Sequence, residues 1–113
     1  MTKETIFSKI ISGEITCKEV YRDDLCLAFH DVNPQAPVHI LIIPLKAIES
    51  LNSIEEEDTE ILGHLLKIST KIAKQEGLDS WRTVINTGEK AGQTVFHLHI
   101  HIIGGRNLLW PPG

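Results

Sequence analysis

The sequence predicts an α+β domain: an antiparallel sheet of about five strands with one long and one short helix. Three observations carry this. An apolar stripe at helical spacing runs from Ile54 to Ile72, short extended runs are punctuated by glycine, proline and aspartate, and His97-Leu98-His99-Ile100-His101 alternates imidazoles with apolar side chains. Strands grouped around two helices, without a repeated strand–helix alternation, fit an antiparallel sheet.

Taken in order, Ile6, Phe7, Ile10 and Ile11 recur at helical spacing before Ser12-Gly13, which predicts a short amphipathic helix around residues 5–12. Glu19 to Arg22 reads as a strand, Asp23-Asp24 as a turn, and Leu25 to Val32 as the returning strand of a hairpin. Two prolines make residues 33–37 a loop. Val38 to Pro44 is apolar on both faces, the pattern of a central strand covered on each side. Ser53 with Glu56 has the form of a capping box, so the long helix is expected from about residue 54 to 76, ending near Gly77. Trp81 to Asn86 reads as a strand and residues 87–93 as a glycine-punctuated loop. Val95 to Ile103 is then the histidine strand, released into a tail by Gly104-Gly105.

The 113 residues suit one domain spanning 1–113, with 42% apolar and 23% charged residues. No apolar run approaches the roughly 20 residues of a membrane span. The first residues lack a signal-peptide apolar region, so a cytoplasmic protein is expected, shared with the nucleus in a eukaryote. A net charge of −4 argues against polymeric nucleic acid as a partner, and no membrane partner is expected. Cys17 and Cys26 form no Cys-x-x-Cys pair and are expected as thiols.

Period-two alternation puts Val95, His97, His99 and His101 on one face of their strand and Phe96, Leu98, Ile100 and Ile102 on the other. Successive positions on one face lie about 6.6 Å apart, so His97 and His101 are separated by about 13 Å along an extended strand. One zinc ion, with bonds of about 2.0–2.1 Å, could hardly collect all three. A row of imidazoles along an extended substrate fits that spacing better.

His97-Leu98-His99-Ile100-His101-Ile102-Ile103 meets the His-φ-His-φ-His-φ-φ pattern, with φ apolar, at every position. With it go Ala28-Phe29-His30-Asp31, Pro34-Gln35-Ala36-Pro37-Val38-His39, Gly92-Gln93-Thr94, Gly104-Gly105-Arg106 and Trp110-Pro111-Pro112-Gly113. On these residues the chain resembles the histidine triad superfamily, most closely its Hint branch of purine nucleoside phosphoramidases. The resemblance implies a HIT-like fold and hydrolysis of the P–N bond of nucleoside 5′-phosphoramidates, such as adenosine 5′-phosphoramidate or nucleotidylated lysine. It implies no metal or other cofactor.

The resemblance makes His99 the nucleophile that becomes nucleotidylated. It also makes His101 a binder of phosphate oxygens, His39 and His97 a pair orienting His99, and Thr94 a hydroxyl on the leaving-group side. Imidazole suits the nucleophile's role because a pKa of about 6.5 leaves a neutral attacking nitrogen at neutral pH. The same resemblance gives Asp31 to the ribose hydroxyls, and Ile6, Phe7, Ile10, Ile15, Phe29 and Val32 to an apolar clamp around the purine. Asn86 falls to the 5′ side and Gly92 to the phosphate, with His30 and Val95 completing the nucleotide-binding set. A homodimer is implied, in which Trp110 reaches the partner's active-site mouth. The alternative is a zinc- or nucleotide-binding adaptor acting through its dimer surface. His64, beside the apolar stripe of the long helix, is read as packing.

Overall fold

The computed structural model describes residues 4–113. Its elements are α1 (Ile6–Ser12), β1 (Glu19–Arg22), β2 (Cys26–His30), β3 (Val38–Pro44), α2 (Thr59–Gln75), β4 (Trp81–Val84) and β5 (Ile100–Gly104). The strands form one antiparallel sheet in the order β1-β2-β3-β5-β4, which is the α+β architecture expected.

β3 is central because its apolar residues feed both sides of the sheet. Ile40 and Ile42 face α2 and pack with Leu65, Ile68, Ile72, Leu98, Ile100 and Ile102. Leu41 and Ile43 face the other way, into a smaller cluster with Phe7, Ile10, Leu27 and Phe29. Each fully buried aliphatic side chain stabilises the fold by about 1.5–3 kcal/mol, so the α2 face carries the larger share. α1 closes the smaller face. Thr5 caps it reciprocally with Ser8: the Thr5 hydroxyl accepts the Ser8 N–H at 3.2 Å and Ser8 Oγ accepts the Thr5 N–H at 2.8 Å.

Several expected boundaries move. The long helix starts at Thr59 rather than near residue 54, because the chain first makes two single 3-10 turns, Leu51–Ser53 and Glu56–Asp58. The reciprocal cap belongs to Glu55 and Asp58, not to Ser53 and Glu56. Asp58 is the anchored member: its carboxylate is buried, accepts the Glu55 N–H at 2.9 Å and meets Lys46 Nζ at 2.6 Å. The histidine strand starts at Ile100, so only His101 of the three histidines lies in regular strand. Phe96, expected to pack with Leu98, Ile100 and Ile102, is 44% exposed because the chain bends at residues 95–97. β2 and β4 each also end two residues sooner than expected, at His30 and Val84. Among the described residues, no helix is long and apolar enough to cross a membrane.

Candidate active site

β3 and β5 bring two histidines together by register. His39 stands opposite Ile103 and Leu41 opposite His101, so His39 and His101 are diagonal neighbours on one face, within reach of long side chains. Their rings meet with His39 Nε2 2.9 Å from His101 Nδ1. His99 and His97 precede the strand in a segment tied down by the Leu98 N–H, which donates to the Ile48 carbonyl at 2.7 Å. The His99 and His101 ring centroids lie 5.0 Å apart, and Phe7 sets an edge against His99, also at 5.0 Å.

Partners assign the protons. The Gln35 N–H donates to His39 Nδ1 at 3.0 Å, so that nitrogen presents a lone pair and the His39 proton sits on Nε2. Nε2–H then donates to His101 Nδ1, which places the His101 proton on its own Nε2. That atom is the buried side-chain polar atom left without a partner among the described residues. A buried donor with no acceptor is costly, and an anionic oxygen would supply what it lacks. His99 is arranged the opposite way. Its Nδ1–H donates to the His97 carbonyl at 2.7 Å, leaving the Nε2 lone pair free. His97 donates through Nε2 to the Pro44 carbonyl at 2.8 Å. Thus the backbone of His97, not its ring, orients His99, and the His39 ring bonds to His101 rather than to His99.

Burial favours the neutral form of His97, His99 and His101. It lowers the pKa of His97 and His99 below the ordinary value, and with the neighbouring His99 and His39 it pushes His101 down to about 4. The site therefore pairs a neutral nucleophilic nitrogen with a neutral N–H donor at neutral pH.

A cleft of about 690 Å3 opens beside His39, walled by Ile6, Ile10, Ile15 and Phe29 and rimmed by His30, Asp31 and Val32. Val32 is fully exposed there, while Phe7 is buried under the imidazoles. One Asp31 oxygen accepts the Asn33 N–H at 2.8 Å and the other lies 3.4 Å from His39 Nε2. Thr94 and Val95 border an adjoining cleft of about 430 Å3, which shares Ile6 with the first and adds Glu4 and Glu49. Asn86 and Trp110 lie apart, in a third cleft of about 670 Å3 along β4. Gly92, at φ +101°, sits beside Asn86, whose Nδ2 would be 3.6 Å from a Cβ there.

Two residues outside the expected set hold the site. Gln35 contributes only its backbone N–H, which leaves no mark in a sequence. Gln93 is buried: its Oε1 accepts the Gly88 N–H at 2.9 Å, and its Nε2 donates to the carbonyls of Glu49 at 2.8 Å and Val95 at 3.1 Å. Its signal was available, since it stands between Gly92 and Thr94 in the matched motif.

Among the described residues, two groups gather possible metal ligands: Asp31 with His39 and His101, and Asp23 with Cys26 and His64. In the first, coordination through His39 Nε2 would require the proton on Nδ1, facing the Gln35 N–H donor head on. In the second, the Asp23 carboxylate already accepts from the Tyr21 hydroxyl, His64 Nε2 and the N–H groups of Leu25 and Cys26. Burial, aided by Asp23, pushes the Cys26 thiol up to about 12, away from the thiolate a metal needs. Neither set of residues fits a metal.

The antiparallel sheet thus carries oriented imidazoles beside a cleft with apolar walls, one ring presenting a lone pair that can attack and the other an N–H that can donate to an anionic oxygen. The chain belongs to the HIT domain family, which matches residues 12–108. It is 60% identical over 114 residues to an uncharacterized HIT-like protein of Synechococcus elongatus, covering all of both chains. Among solved structures it resembles a HIT family hydrolase from Legionella pneumophila, with a TM-score of 0.95 and 44% identity over 97% of this chain and 100% of that one. A histidine triad protein from Clostridium difficile gives a TM-score of 0.90 and 44% identity over 96% and 97% of the two chains.

Proposed function

We propose that this protein is a purine nucleoside phosphoramidase of the Hint type, hydrolysing the P–N bond of nucleoside 5′-phosphoramidates through a nucleotidyl-histidine at His99. The observation that carries the reading is the opposed proton assignment of two neighbouring rings: a lone pair on His99 Nε2 and an unpartnered N–H on His101 Nε2. The His99 lone pair attacks phosphorus as the P–N bond breaks. The leaving nitrogen takes a proton at Thr94 Oγ1, replenished from water, and departs as an amine. Water then attacks phosphorus, passing a proton to the hydroxide left by that exchange, the N–P bond to His99 breaks, and a nucleoside monophosphate leaves with His99 restored. His101 Nε2–H donates to the phosphoryl oxygen as charge builds there. The hydrolase description of the Legionella neighbour supports a hydrolytic reaction.

The purine lies in the cleft of Ile6, Ile10, Ile15 and Phe29, with Asp31 toward the ribose. Glu4 and Glu49 give the Thr94 cleft a negative cast that suits a cationic amine, as in nucleotidylated lysine. The protein works as a homodimer through α2 and the free edge of β4. In support, β4 ends the sheet, and Leu66 and Trp110 are 49% and 83% exposed.

The deciding experiment is mass spectrometry of protein quenched during turnover of adenosine 5′-phosphoramidate. A nucleotidyl adduct on His99 is expected, and an adduct confined to another residue would overturn the assignment. His99→Ala should abolish nearly all turnover while holding nucleoside monophosphate affinity within about tenfold, since a nucleophile acts mainly after binding.

A further inference from the structure

The segment following β5 reaches back to the loop that sets the protons of the histidine pair. Gly105, at φ +93°, lies so close to Pro37 that a Cβ there would stand 3.0 Å from Pro37 Cβ. The next residue, Arg106, donates from Nε to the Gln35 carbonyl at 3.0 Å and from Nη1 to the Asn107 carbonyl at 3.0 Å. Gln35 is the residue whose own N–H donates to His39 Nδ1. An unbroken series therefore runs from the Arg106 guanidinium through Gln35 and His39 to His101, ending at the unpartnered Nε2–H.

We propose that Arg106 is a positioning residue: by holding Gln35 in place, it locks His39 and His101 in the tautomers that present the His101 Nε2–H to a phosphoryl oxygen. The role in turnover rests on the phosphoramidase reading, whereas the tautomer lock belongs to the resting protein. Without the fixed Gln35 N–H, the two His39 tautomers compete. If the His39 proton moves to Nδ1, Nε2 becomes an acceptor, His101 Nδ1 must become the donor, and the nitrogen meant for phosphate carries a lone pair that repels it. A planar guanidinium binds two carbonyls in one fixed plane, which a lysine ammonium does not reproduce. Arg106 is exposed, so its replacement removes the hold on Gln35 without opening the core.

The test is nitrogen-15 NMR of the histidine rings in the ligand-free parent, Arg106→Lys and Arg106→Gln proteins, which reports the protonated nitrogen of each ring. The parent should hold His39 and His101 each as the single Nε2–H tautomer. Arg106→Gln should turn both into mixtures and leave His97 and His99 unchanged, with Arg106→Lys between. Unaltered His39 and His101 tautomers in Arg106→Gln would overturn the proposal, as would equal changes in all four rings, which would mark general loosening. In turnover, Arg106→Gln should lower kcat roughly tenfold with KM nearly constant, less than the about hundredfold cost of an ångström of misplacement. A fall in KM-dependent binding alone, with kcat intact, would also overturn it. A parent with no phosphoramidase activity would sink the functional reading, and the ring spectra would still decide the role of Arg106.

Discussion

At the scale of single residues, the histidines connect chemistry with stability. The unfolded chain takes up protons on histidine near pH 6.5, whereas folded His101 resists protonation until about pH 4. Between those values the unfolded state binds more protons, so stability falls as the pH drops from about 6.5 to about 4. His97 and His99, also lowered by burial, add in the same direction. Denaturant titrations across this window should show that slope, and His101→Ala should reduce it by about one proton per chain. An unchanged slope in the variant would mean that His101 titrates normally. Asp23 acts at lower pH. Burial raises its pKa, but hydrogen bonds from Tyr21, Leu25, His64 and Cys26 outweigh that and hold it well below the usual carboxylate range, so its contribution is lost only under stronger acid.

Within the elements, Gln93 does for the loop what Asp58 does for the start of α2. Each is a buried polar side chain that fixes an irregular segment through several bonds. Gln93→Ala would strand the Gly88 N–H and the carbonyls of Glu49 and Val95, and should cost about 2–3 kcal/mol by chemical denaturation. A cost below about 0.5 kcal/mol would mean that the loop finds other partners. This kind of contact marks the edge of what is legible in the sequence. The stripe of α2, the apolar run of β3 and the alternation around His101 report burial on a regular lattice, so fold class and sheet content were readable. The bend at residues 95–97 and the 3-10 turns before α2 depend on tertiary bonds to Ile48, Lys46 and Glu49, which periodicity does not register. The motif selected His39, His97, His99 and His101 as a group. Their proton assignments come from backbone carbonyls of Pro44 and His97 and the backbone N–H of Gln35, which almost any residue type could have supplied.

For the whole molecule, the separation of the clefts bears on assembly. Asn86 and Trp110 border a cleft along β4 that shares no lining residue with the cleft beside His39, and in the proposed dimer Trp110 serves the partner's site. Deleting residues 110–113 should alter discrimination among amine leaving groups while the dimer and nucleoside monophosphate affinity persist. A truncated protein that sediments as a monomer, or that keeps its amine preference, would reject that role for the tail. The two faces of the sheet also differ in strength. The seventeen-residue α2 buries Leu65, Ile68 and Ile72 on one side, whereas the seven-residue α1 closes the other with Phe7 and Ile10 and sets Phe7 against His99. Amide hydrogens of α1 should accordingly exchange with solvent through small local openings, and those of α2 only through global unfolding. The imidazoles thus lie beneath the element expected to open first, and on that expectation His99 is uncovered while the sheet and its long helix stay intact.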